Sequence, residues 1–123
     1  MKGITREIFN AEEFCIQIIR PELRKQMIEM FPEEAGDFLD RAEAALKEND
    51  AERLHLAAHS LKGVVGNYLG TRAFSAATEL DSLARKKHLT EAGDALQRCK
   101  NEVEILGLAL QQFLEMDQQE TEV

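Results

Sequence analysis

The sequence predicts an all-α fold: an up-down antiparallel four-helix bundle with an extra N-terminal helix. Three observations carry this. Ala, Leu and Glu number 15, 15 and 17 of the 123 residues, and Ala, Leu and Glu all favour helix. Val, Ile and Thr total only 16, while Gly and Pro are 7 and 2, too few for the turns a sheet consumes. Apolar residues recur at spacings of three and four along stretches joined by short polar links, an arrangement that makes consecutive helices antiparallel neighbours. The length fits one domain spanning 1–123, with the bundle over about 20–115.

The first helix is expected over about 5–19, with Ile8, Phe9, Ala11, Phe14, Cys15, Ile18 and Ile19 on its apolar face and a break near Asn10. It would cover one end of the bundle. Pro21 suits the first turn of the second helix, where its missing N–H would have no partner anyway. That helix buries Leu23, Met27, Met30, Phe31, Phe38, Leu39, Ala42, Ala45 and Leu46, and Pro32 should kink or split it. Asn49 closes the segment and Asp50 caps the third helix, about 51–68. Gly70 interrupts the pattern. Thr71 is expected to cap a fourth helix reaching about Lys87, with Phe74, Ala77, Leu80, Leu83 and Ala84 inward. Lys86, Lys87 and His88 then face the negative end of that helix's dipole. Thr90 is expected to cap the fifth helix, whose stripe is Ala95, Leu96, Cys99, Val103, Leu106, Leu110, Phe113 and Leu114. A polar tail over about 117–123 should fray.

The formal charge of −8 speaks against nucleic acid and anionic membranes, both of which would repel the chain. No apolar run has the length of a membrane span or a signal peptide, so the expected compartment is the cytoplasm, with no membrane contact by this domain. Cys15 and Cys99 are far apart and outside any CxxC pattern. They read as small core residues in a reducing compartment.

The third helix carries the chemistry. At about 100 degrees per residue, Leu54, Ala57, Ala58, Val64, Val65 and Tyr68 fall within roughly 60 degrees of Leu61 and form the buried stripe. His55, His59, Lys62, Gly63 and Gly66 share the solvent side. A glycine in a helix interior costs about 1 kcal/mol relative to alanine. The core gains nothing from Gly63, so its use is to let something approach the backbone beside His59. A histidine's ordinary pKa of about 6.5 leaves it largely unprotonated near neutral pH, hence nucleophilic. A phosphoryl dianion on that ring would attract the ammonium of Lys62, three residues on. The near neighbours of His59 read as basic or small.

The run Ala58-His59-Ser60-Leu61-Lys62-Gly63, followed by Asn67 and Gly70, resembles the motif of histidine-phosphotransfer (HPt) domains, roughly A-H-x-L-K-G and then G-A. The approach through Phe38, Ala44-Ala45-Leu46 and Asn49-Asp50-Ala51 is similar too, and the resemblance spans about residues 10–115. It implies a phosphorelay intermediate that takes a phosphoryl group from a receiver-domain aspartate and passes it to a second receiver. It implies His59 as phosphoacceptor, Lys62 as the stabilising cation and Gly63 as the residue giving access. Two departures stand out. Gly70 lies eleven residues after His59 rather than about ten, and Thr71 replaces the usual alanine, as if one residue were inserted around Asn67-Tyr68-Leu69. Some family members place a Gln or Glu on the fourth helix near the histidine. The matching position here is Asp81 or Ser82, and neither receives that role.

His55, Leu56 and Gly66 are candidates for partner binding. His55 is a solvated neighbour that tunes His59; a metal held by His55 and His59 is the weaker reading, lacking a matching carboxylate or cysteine pair. Leu56 lies outside the buried stripe and is either a docking contact or an incidental exposed leucine. No glycine-rich ATP loop is present, so no ATP site of its own, no cofactor and no metal are expected, and catalytic Mg²⁺ would belong to the receiver. The implied partners are response-regulator receiver domains, with a hybrid sensor histidine kinase as a further candidate. Two other functions compete. One is the phosphorylatable histidine domain of a chemotaxis-type kinase, which the chain's end at Val123 disfavours. The other is a docking-only pseudo-HPt bundle, which the joint presence of His59, Lys62 and Gly63 disfavours.

Overall fold

The computed structural model describes the backbone of residues 5–122 and side chains through residue 117. Among the described residues five helices make up the fold: α1 Ala11–Gln17, α2 Pro21–Lys47, α3 Ala51–Asn67, α4 Thr71–Arg85 and α5 Leu89–Glu122. Helices α2 to α5 pack in a ring, each against its neighbours in sequence and α5 back against α2. The predicted stripes of α3 and α5 are buried throughout, and Ala42, Ala45, Ala77, Leu80 and Ala84 complete the centre.

Three links of three residues join the bundle helices, and all are built alike. Asn49, Leu69 and Lys87 adopt left-handed φ of 55°, 56° and 61°. In each link the next residue's N–H returns to the carbonyl five residues back: Asp50 to Ala45, Gly70 to Val65 and His88 to Leu83. Each therefore closes one helix with a Schellman turn and starts the next at once. Asp50 caps α3 as expected, accepting from Arg53 N–H at 3.0 Å. The expected threonine caps are corrected by the same geometry. The turn ends on Gly70 and on His88, so Thr71 is already the first helical residue of α4 and Thr90 lies inside α5. The link holding the apparent extra residue has the same form as the other two, with Leu69 in the left-handed position.

Gly70 is required by a close approach. A Cβ there would sit 2.5 Å from Leu106 Cδ2, and Leu106 is buried too deeply to swing aside. Gly70→Ala is expected to cost about 1–3 kcal/mol, read as a lower urea midpoint at unchanged slope.

The N-terminal segment covers the end of the bundle at the α3–α4 link. Helix α1 is shorter than its apolar pattern suggested, because Ile8 and Phe9 form a turn on the Thr5 carbonyl and Asn10 caps the helix by accepting from Glu13 N–H. Asn10 N–H donates to Leu69 O, and Arg72 N–H donates to Glu7 O. Beneath lie Phe9, Phe14 and Phe113 in edge-on contact, with Tyr68 against Phe14 and Phe31. Pro32 does not split α2. The Tyr68 hydroxyl donates to Met27 O at 2.5 Å, supporting the helix on the turn that Pro32 weakens. Burial, then the nearby Glu34 carboxylate, pushes the Tyr68 hydroxyl up to about 12, so it keeps its proton. Leu23, Met30 and Ile19, expected inward, are exposed. Asp117 is tied to Arg24 at 3.1 Å, whereas the side chains of 118–123, where most of the tail expected to fray lies, are outside the described residues.

Candidate functional site

Helix α3 is held by its six buried residues from Leu54 to Val65, which fixes the direction of its outer face. His59 lies at the middle of that face and is exposed. One turn on, Gly63 is also exposed, and a Cβ placed there would meet nothing within 4 Å. The space beside the His59 ring is therefore open. Gly66 is not open in this way: a Cβ there would touch the Phe74 ring at 3.5 Å. Phe74, expected in the core, instead lies 42% exposed across Gly66.

The flank toward α2 is apolar with cations. Leu56 is 55% exposed and borders a shallow hollow with Phe38, Arg41, Arg53 and Ser60. The Arg41 guanidinium covers the Phe38 ring at 5.2 Å from its centroid.

The flank toward α4 holds the residue that the sequence left unassigned. Asp81 is 3% exposed. Its Oδ1 lies 2.5 Å from His55 Nδ1, and its Oδ2 lies 3.4 Å from both Lys62 Nζ and Arg85 Nη2. An ionised carboxylate oxygen so close to a ring nitrogen selects the His55 tautomer with hydrogen on Nδ1, and Arg85 Nε lies 3.4 Å from the same nitrogen. Burial pushes the Asp81 carboxyl up, but the hydrogen bond and charge of His55, with Arg85 and Lys62, more than offset it and hold the group below its usual value. The expectation of only basic or small neighbours is thus corrected: a carboxylate is present, buried beside the His55 ring, Lys62 and Arg85. His55 is half-buried in this pairing, with its ring centroid 6.0 Å from that of His59. A signal for Asp81 was present in the sequence. Arg85 follows it by four residues on the same helix face, and His55 and Lys62, seven apart, place two potential cations on the facing side of α3.

Among the described residues no group of three His, Cys, Asp or Glu could hold a metal ion, and no helix is long and apolar enough to cross a membrane. Cys99 is buried, which pushes its thiol up to about 12 and leaves it inert, and Cys15 is half-buried against the core.

An antiparallel helical bundle that presents a solvent-facing histidine, with a lysine three residues on and a bare backbone one turn on, defines a class of histidine-bearing signalling bundles. Residues 26–118 match the Hpt domain family, and the chain belongs to it. Its role is histidine phosphotransfer in a two-component phosphorelay, and the family's members interact with receiver domains. No curated protein and no solved structure matches the chain.

Proposed function

We propose that the chain is a phosphocarrier in which His59 accepts a phosphoryl group from a receiver-domain phosphoaspartate and relays it to a second receiver. The observation that carries this reading is the open space over Gly63 beside an exposed imidazole on a rigid helix. In the forward step an unprotonated His59 ring nitrogen attacks phosphorus. The P–N bond forms, the P–O bond to the aspartyl carboxylate breaks, and the carboxylate leaves with the electron pair. Relay to the second receiver is the same step reversed. Lys62 neutralises charge on the transferred group, and Mg²⁺ is supplied by the receiver's own carboxylates. His55, Leu56 and Gly66, with Phe74, form the surface on which the receiver lies. The cytoplasm is the compartment that this partnership requires.

The test is to incubate the protein with a phosphorylated receiver and Mg²⁺ and record intact mass. One phosphoryl group should be gained, acid-labile and base-stable. His59→Gln should reduce the gain at least about a hundredfold, the scale on which loss of a nucleophile acts. No gain across a panel of receivers, with the fold intact, would leave a docking-only bundle. A gain that persisted in His59→Gln would move the acceptor to His55.

A further inference from the structure

We propose that Asp81 is a positioning residue that competes with the phosphoryl group on His59 for Lys62, and that His55 sets the strength of the competition. The proposal rests on the reading of His59 as phosphoacceptor. A carboxylate only 3% exposed requires charged or hydrogen-bonding partners. Among the described residues it has two cations, Lys62 and Arg85, and the His55 ring, and they are unequal. His55 donates to Oδ1 at 2.5 Å, while Lys62 and Arg85 share Oδ2, each at 3.4 Å. Lys62 is therefore held loosely, at the end of a four-carbon stem and three residues past His59. A dianion arriving on His59 draws it away, and the His55 hydrogen bond and the Arg85 guanidinium remain on Asp81. The site thus keeps its lysine ordered while His59 is bare and releases it when charge appears. His55 determines how far Asp81 depends on Lys62: without the short hydrogen bond to Oδ1, the carboxylate holds the lysine harder.

Opposite signs follow for two neighbouring substitutions. Asp81→Asn removes the competitor and frees Lys62 and Arg85 for the phosphoryl group. His55→Leu, similar in size, strips Asp81 of its strongest donor and leaves Lys62 committed to it. The readout is the lifetime of the phosphorylated protein after removal of the receiver. Decay is hydrolysis: water attacks phosphorus, the P–N bond breaks, the ring nitrogen takes the electron pair and a proton, and inorganic phosphate leaves.

Wild type, Asp81→Asn, His55→Leu and the double variant would be loaded from a phosphorylated receiver with Mg²⁺, then followed by intact mass at one pH. The lifetime should lengthen about threefold in Asp81→Asn and shorten about threefold in His55→Leu, the scale of a partly exposed ion pair. The double variant should decay as Asp81→Asn does, because once the receiver is removed His55 acts on the lifetime only through Asp81. A merely structural pair would shift both single variants in the same direction. That result, or two unchanged lifetimes, overturns the proposal. If Asp81→Asn loses its helical circular dichroism, His55→Leu decides: a shortened lifetime supports the competition and an unchanged one ends it. Loading is read before decay, so failure of the phosphoacceptor reading is seen separately, as a wild type that gains no phosphoryl group or a His59→Gln variant that gains as much.

Discussion

Replacing Arg24 with methionine lowers the stability of the fold by about 3–4 kcal/mol, the scale on which breaking a buried ion pair acts. The side chains of Arg24 and Asp117 are only 8% and 13% exposed. The guanidinium meets the carboxylate through Nε and Nη2, both at 3.1 Å. Its Nη1 donates to the carbonyls of Ile18 and Ile19 at 2.6 and 2.9 Å. One side chain therefore closes the link after α1, anchors the start of α2 and holds α5 near its end. Methionine fills a similar volume but donates nothing, leaving two carbonyls without their donor and a shielded carboxylate without its guanidinium. Urea unfolding at neutral pH reads the loss as a lower midpoint. Arg24→Met with Asp117→Leu should recover most of it, since removing one partner of a shielded pair costs more than the pair's net worth. A single Arg24→Met variant within about 0.5 kcal/mol of wild type, the range of ordinary surface substitutions, would show that the clamp contributes little.

Arg24 also shows what hydropathy patterns conceal. Periodicity locates apolar faces, so the stripes of α3 and α5 and the bundle architecture were legible from spacing alone. A charged residue that periodicity assigns to solvent is buried only if a partner arrives from elsewhere, and Asp117 lies 93 residues from Arg24. Asp81 is the same case at the site, since its partners His55 and Lys62 sit on a different helix. Phe74 fails for the complementary reason. Its spacing suits the core, but the glycine at position 66 gives its ring a shelf on the outside of α3. The helix starts near Thr71 and Thr90 are not announced by the sequence because the left-handed positions themselves, Leu69 and Lys87, are not glycines. The outer face of α3 was legible because a motif carries it, and because Gly63 has no use in a helix that only needs to pack.

Gly63 is where stability and transfer are expected to separate. Alanine there should raise stability by about 1 kcal/mol, since it improves helix propensity and its Cβ meets nothing within 4 Å. Glutamine is also a good helix former, so Gly63→Gln should leave the urea midpoint at or above that of wild type. Its side chain would occupy the space one turn from His59 through which, in the function proposed above, a receiver's phosphoaspartate comes. Displacing a reacting group by about 1 Å costs roughly a hundredfold in rate, and Gly63→Gln should slow phosphoryl transfer by about that factor. Transfer rate and unfolding midpoint measured on the same three proteins decide the matter. A faithful structural role for the glycine would make stability and transfer fall together. A glutamine variant that stays stable and transfers as fast as wild type would remove access as the reason for Gly63. Nothing in the packing of α3 would then account for a glycine at that position, because neither the core nor the helix gains from it.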